Sequence, residues 1–227
     1  MNKAFFAVLC VGSAISSPAF AQQGGTVQPI AGGVSVTPAS GPSSRVEVTV
    51  HGDGIIHVVA TPRGMAVGAP APSLMAPTPP APGKYTVRTH DGRVTLTTAT
   101  SIAEITLVTG AVRFFDTAGK PLLTEAKPTT FAATTVDGKP FVTVSQQFNR
   151  GTDEGLYGLG QHQETQMDYN GEDVELAQHN MDIAVPFLVS TRGYGLLWDN
   201  ESITQFGNPH PYQLVGEELQ VTSNGKP

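Results

Sequence analysis

An all-β chain, folded as an antiparallel sandwich, is the class this sequence predicts, and three observations predict it. Apolar residues recur with period two rather than 3.6, and Asp-Gly pairs of the kind that close hairpins punctuate the alternating runs. No stretch of ten or more residues carries a convincing helical stripe, whereas Thr and Val, which favour strands, are abundant.

The chain opens on one Lys at position 3, an apolar run from Ala4 to Ile15, and Ala19-Phe20-Ala21 just before Gln22. That is the three-part layout of a secretory signal peptide over residues 1–21. The run is shorter than the roughly 20 residues a helix needs to span a bilayer. Export to the periplasm or the extracellular space is therefore expected, with no membrane contact after cleavage. A lipoprotein reading through Cys10 is the weaker one, because Val8-Leu9 lacks the small residues such a site requires. Cleavage would remove the only cysteine and one Lys, taking the formal charge from −6 to −7. Disulfides and cysteine-based metal or redox chemistry are then excluded. The acidic balance also argues against a nucleic-acid partner, which needs a basic surface to displace counterions. The remaining 206 residues suffice for one large or two small domains.

Residues 22–33 are rich in Gly, Gln and Pro without apolar periodicity, and read as a flexible leader to a domain over 34–227. In Arg45-Val46-Glu47-Val48-Thr49-Val50 the valines share one face of a strand. Residues 62–83 form a Pro-rich excursion, with seven prolines between Pro62 and Pro82, and are expected as a surface loop because each Pro removes a ladder donor. Tyr85-Thr86-Val87 and Val94-Thr95-Leu96 resume the alternation on either side of Asp91-Gly92, and Asp137-Gly138 precedes Phe141-Val142-Thr143-Val144. Pro186 fits a strand entrance or edge, and Gly193-Tyr194-Gly195 a tight turn between two buried strands. Glu218 to Thr222 alternates like a strand, and Ser223 to Pro227 supplies turn chemistry, so the sequence is expected to stop inside a hairpin, as a fragment of a longer chain.

Composition alone leaves the function open; residues 148–200 narrow it. They carry Phe148-Asn149-Arg150, then Glu154-Gly155-Leu156-Tyr157-Gly158-Leu159-Gly160-Gln161-His162, Asn170-Gly171-Glu172, Val174-Glu175-Leu176-Ala177-Gln178-His179-Asn180, and Val185-Pro186-Phe187-Leu188-Val189-Ser190-Thr191-Arg192-Gly193-Tyr194-Gly195-Leu196-Leu197-Trp198-Asp199-Asn200. This ordered set closely resembles the N-terminal domain of glycoside hydrolase family 31, in particular its bacterial α-xylosidases and α-glucosidases. The earlier strands, with the hairpin Val112 to Leu123, fit the same domain. The resemblance implies a galactose-mutarotase-like β-sandwich placed before a catalytic (β/α)8 barrel. It further implies that a loop matching Glu175 to Asn180 reaches over the barrel mouth, with Gln178, Asn180 and His179 offering neutral hydrogen-bonding groups to sugar hydroxyls. The bland alternative for that segment is a polar turn.

On the residues themselves, the glycines at 155, 158 and 160 serve close backbone packing and not a phosphate, since no Lys-Ser or Lys-Thr follows. Acidic residues are frequent between 153 and 201, yet none matches the family's catalytic motifs, and most are expected to be surface charge. The six histidines lack His-x-His or His-Glu-x-x-His spacing, so neither metal nor cofactor is expected. Trp198, in an apolar run, is expected in a core rather than as a sugar platform.

The resulting expectation is the N-terminal portion of an exported retaining α-glycosidase, acting on a glycoside or oligosaccharide. Its catalytic aspartates would lie in the barrel of its own full-length chain, and the fragment alone would be inactive. A free-standing secreted carbohydrate-binding module is the competing class, although it should present more aromatic surface. A mutarotase-type enzyme, with His162 and Glu164 as its nearest acid and base, is a third.

Overall fold

The computed structural model describes residues 24–208, apart from 53, 66–72, 74–80, 164, 165, 179 and 201. The proposed signal peptide and the strand proposed over Glu218 to Thr222 lie outside the described residues. Every regular element among those described is a strand, and every pairing is antiparallel.

Strands β1 (Thr26–Ile30), β2 (Gly33–Thr37), β3 (Ser43–His51) and β4 (Ile55–Pro62) form a meander. A second meander runs through β5 (Thr86–His90), β6 (Arg93–Thr97), β7 (Ser101–Thr106), β8 (Val112–Asp116), β9 (Pro121–Val136) and β10 (Lys139–Asn149). The period-two pattern explains their packing. Val34, Val36, Val46, Val48 and Val50 of the first sheet meet Val94, Leu96, Ala103, Ile105 and Val112 of the second in one buried cluster. Each fully buried aliphatic side chain there contributes about 1.5–3 kcal/mol. The Asp-Gly pairs do what their chemistry predicts: Asp91-Gly92 joins β5 to β6 and Asp137-Gly138 joins β9 to β10, all four residues at positive φ.

One expectation changes here. Residues 26–30, read as flexible leader, are the edge strand β1, paired with β2 from Thr26↔Thr37 to Ile30↔Gly33. An edge strand needs one apolar face at most and tolerates Pro29, so its sequence resembles a linker. Most of the Pro-rich excursion lies outside the described residues, but both of its ends are held. Arg63 donates from Nε to Gly41 O (3.0 Å) and from a terminal nitrogen to Pro38 O and Ser43 O (both 2.9 Å), and Gly52 N donates to Ala81 O (2.8 Å).

A smaller unit follows, with its own core of Leu156, Leu159, Tyr169, Val174, Leu176 and Leu188. It comprises β11 (Leu156–Gln161), β12 (Val174–Leu176), β13 (Ile183–Ser190), β14 (Tyr194–Leu197) and β15 (Thr204–Phe206), in the sheets β11-β13-β14 and β12-β15. Pro186, expected at a strand entrance or edge, instead lies in mid-β13, the central strand of its sheet. The register accounts for it: Gly158 pairs with Leu188 but Gly160 with Ala184, so β13 bulges around Pro186 and no ladder N–H is missed. Gly160, at φ +104, lets the β11 backbone approach Ile183 more closely than any Cβ allows. The turn between β13 and β14 is Thr191-Arg192-Gly193, two residues earlier than expected, while Tyr194 and Gly195 belong to β14.

Nor is β13 buried on both faces. Leu188 and Ser190 point into the smaller core, whereas Ile183, Val185, Phe187 and Val189 are between 41% and 51% exposed. Tyr157 and Leu197, register partners of Val189 and Phe187, extend the same apolar face. Trp198 is half-buried just beyond β14, its backbone N–H bonded to Pro186 O (2.8 Å).

One carboxyl in the larger unit carries a pH prediction. Burial pushes Glu125 up to about 7, only partly offset by Val112 N–H donating to Oε2 at 2.9 Å. The folded chain therefore keeps this proton up to about pH 7, while the unfolded chain releases it near 4.5. Between those values the folded state binds more protons, so Glu125 makes stability fall as pH rises. Glu125→Gln should remove that loss, on the order of 3 kcal/mol across the window, in urea unfolding measured at both ends.

Candidate functional site

The β11–β13 ladder organises two polar regions, one at each end. Gln161↔Ile183 closes one end, and Leu156↔Ser190 the other.

Beyond the first end lies the segment singled out in the sequence. β12 buries Val174 and Leu176, and Ala177 is buried after it; at Gln178 the chain emerges to the surface. Gln178 is exposed and its Nε2 donates to Asp182 O at 2.9 Å, which ties the turn across four residues. Asn180 is exposed beside Met181, whose φ is +77. His179 lies outside the described residues. Gln178 and Asn180 thus sit on one tied turn, and the Gln178 carbonyl oxygen has no partner among the described residues. His162, just past β11, has Nε2 2.9 Å from Leu159 O and its ring edge-on to Tyr169 (6.1 Å between centroids). The first ties the ring to the backbone of its own segment and the second is a ring contact, and Glu164 lies outside the described residues.

The opposite end is built around Glu154, which the sequence grouped with surface charge and which is only 3% exposed. Its Oε1 accepts hydrogen bonds from Ser190 Oγ and from Tyr194 OH (2.7 Å). Its Oε2 accepts from Gly151 N (3.1 Å) and lies 3.4 Å from Arg192 Nε. Ser190 Oγ in turn accepts from Arg192 N (3.0 Å), so the hairpin that carries the guanidinium also orients the hydroxyl. Burial alone pushes the Glu154 carboxyl up, but the Ser190, Tyr194 and Gly151 donors and the Arg192 charge outweigh it and hold the group below its ordinary value. Tyr194 is pushed up to about 12 by burial and by its bond to Glu154, so it remains a donor. Ser190 and Tyr194 are a register pair across the turn that carries Arg192, so the three donors converge only once the β13–β14 hairpin has formed.

Around this anion the backbone is tied down. Asn170 Nδ2 donates to Gly151 O (2.9 Å) and to Glu154 O, and Gly155 N donates to Thr191 Oγ1 (3.0 Å). Asp168 Oδ1 accepts from Leu156 N (2.9 Å) and Asn170 N (3.0 Å), bonds that hold its carboxyl below the ordinary range. An open cleft of about 620 Å³ results, lined by Arg150, Thr152, Asp153, Tyr157, Asp168 and Asn170 among others. The sequence did not single out these residues as a group, because they come from three separate segments.

The sequence model of the glycosyl hydrolase 31 N-terminal galactose mutarotase-like domain matches residues 45–206. An α-xylosidase of Saccharolobus solfataricus is 44% identical over 69 residues, which is 26% of this chain and 9% of that protein. An uncharacterized family 31 glucosidase of Pseudescherichia vulneris is 47% identical over 66 residues, 29% of this chain and 12% of that one. The crystal structure of a family 31 α-xylosidase from Xanthomonas citri superposes with a TM-score of 0.74 at 43% identity, over 82% of this chain and 20% of that one. A family 31 α-xylosidase from a soil metagenome, complexed with xylose, shares the fold at a TM-score of 0.62 and 23% identity, over 79% of this chain and 29% of that one. The chain therefore spans about a tenth of these curated relatives' length and a fifth of the Xanthomonas enzyme.

Because Glu154 is a buried anion with four favourable partners, Glu154→Gln should destabilise the chain by about 2–3 kcal/mol at neutral pH, as its amide would meet donors at Gly151 and Arg192. A depressed carboxylate contributes stability above its unfolded value of 4.5 and loses it as pH falls through the folded value. The gap between the two proteins in urea unfolding should therefore narrow on acidification below 4.5.

Proposed function

This chain belongs to glycoside hydrolase family 31 through its N-terminal galactose mutarotase-like domain, and from that membership we propose that it is the N-terminal part of an exported retaining α-glycosidase, an α-xylosidase or α-glucosidase, that releases terminal α-linked sugars. The observation that carries the proposal is the 43% identity to the Xanthomonas α-xylosidase across 82% of this chain. In this reading the two catalytic carboxylates, which a retaining mechanism places about 5–5.5 Å apart, belong to a barrel elsewhere in the full-length protein. The residues here supply the sandwich that supports one rim of the sugar pocket. Gln178 and Asn180, with His179 between them, would donate and accept hydrogen bonds at that rim.

The bare apolar face of β13 supports a partner within the same protein. Five neighbouring residues, Ile183, Val185, Phe187, Val189 and Leu197, form an apolar surface of the kind that marks an interface, with Tyr157 at its edge toward the cleft. A free-standing sugar-binding module has no use for it, whereas a domain that docks on a catalytic barrel does. Val185, expected in a buried strand, belongs to this face, so Val185→Asp should act on docking rather than on folding.

The export proposal predicts a secreted protein whose intact mass corresponds to a start near Gln22; a retained Met1 would refute it. The catalytic proposal predicts that the 227-residue chain turns over no chromogenic α-xyloside or α-glucoside. In the full-length enzyme, Gln178→Ala and Asn180→Ala should each lower kcat/KM several-fold, about 1 kcal/mol per lost neutral hydrogen bond, with melting temperatures nearly unchanged. Unchanged kinetics on every α-glycoside tested would refute the rim assignment.

A further inference from the structure

The cleft at the Leu156↔Ser190 end of the β11–β13 ladder is separated from the Gln178–Asn180 turn by the length of the ladder. Five residue steps of strand put the two about 17 Å apart. The cleft therefore requires an account separate from the pocket rim.

Its free hydrogen-bonding groups are mixed in sign. Arg150 lines it with a five-donor guanidinium that has no hydrogen bond or ion pair to any described residue, and its side chain lies over Gly171. Asp168 has committed only Oδ1, to two backbone N–H groups, so Oδ2 is an open acceptor on a fixed anion. Asp153 is 90% exposed and has only a long contact (3.7 Å) to Arg192. Asn170 spends its amide nitrogen on Gly151 O and Glu154 O, which leaves its carbonyl oxygen as an acceptor. Tyr157, 41% exposed, adds an aromatic surface to the same lining.

Donors and acceptors side by side suit a ligand whose every group both donates and accepts, which is the property of a hydroxyl. An aromatic surface suits the C–H face of a pyranose ring. A phosphate or another anion is disfavoured by the carboxylates of Asp153 and Asp168, and a simple cation by Arg150. We propose that this cleft is a second saccharide-binding site on the N-terminal domain, in which Arg150, Asp153, Asp168 and Asn170 hold the hydroxyls of a neutral sugar unit beside Tyr157. The proposal rests on the glycosidase reading for its choice of sugar and goes beyond that reading in placing a site away from the pocket rim. Such a site would hold a distant unit of an oligosaccharide, or a neighbouring chain of a polymeric substrate, near the enzyme.

The test is an amide-resolved NMR titration of the 227-residue chain with methyl α-D-xyloside and, separately, methyl α-D-glucoside. Saturable shifts at Asp153, Tyr157 and Asn170 are expected with at least one of them. Arg150→Ala and Asp153→Ala, both surface changes that should leave the melting temperature alone, should each weaken that binding about tenfold or more, by one charge-assisted hydrogen bond. No saturable shift with either glycoside, shifts confined to residues 178–183, or binding that survives both substitutions would each overturn the proposal. Failure of the rim assignment reads out elsewhere, as flat kinetics for Gln178→Ala and Asn180→Ala in the full-length enzyme, and does not alter the titration.

Discussion

The dry layer between the four-stranded and six-stranded sheets is the constraint on which the remainder of this chain depends. Val36, Val48, Val50, Val94, Leu96, Ile105 and Val112 are effectively removed from water, and each stands at an alternate position of its strand. A one-residue slip in any of those strands would turn its apolar set outward, so the layer fixes register as well as stability. With register fixed, the long β9–β10 hairpin is held at one edge of the sheet, and the chain leaves it at Asn149 toward the smaller unit.

In that smaller unit a charge, rather than an apolar layer, joins the pieces. Glu154 draws together the loop before β11, the end of β13, the following turn and β14. Burying a carboxylate is costly, and it is tolerated here because hydroxyl, backbone and guanidinium donors converge on its two oxygens. The consequence is positional: the same cluster anchors Asn170 and the 191–193 turn, and with them the walls of the open cleft.

The two faces of the β11-β13-β14 sheet are unequal, and that inequality bears on function. One face packs on Tyr169, Val174 and Leu176, while the other presents a contiguous apolar surface. An antiparallel sheet ordinarily turns polar residues to water on its open side. Apolar residues there are the feature on which the proposed docking face rests.

By itself the sequence determined the fold class, the hairpins closed by Asp91-Gly92 and Asp137-Gly138, and the family, because alternation, turn chemistry and an ordered run of motifs are local properties that can be read residue by residue. Tertiary structure alone decided the rest. Residues 26–30 became a strand only because β2 offered them a ladder, and Pro186 was admitted to a central strand only because a bulge spared its missing N–H. Val185 proved to be on an open face because nothing among the described residues covers it. Glu154 became a buried anchor because Ser190 and Tyr194, 36 and 40 residues further along the chain, were brought to its carboxylate. The cost of burying a charge, and the identity of the face that stays bare, are set by neighbours distant in sequence, and a local pattern carries no information about them.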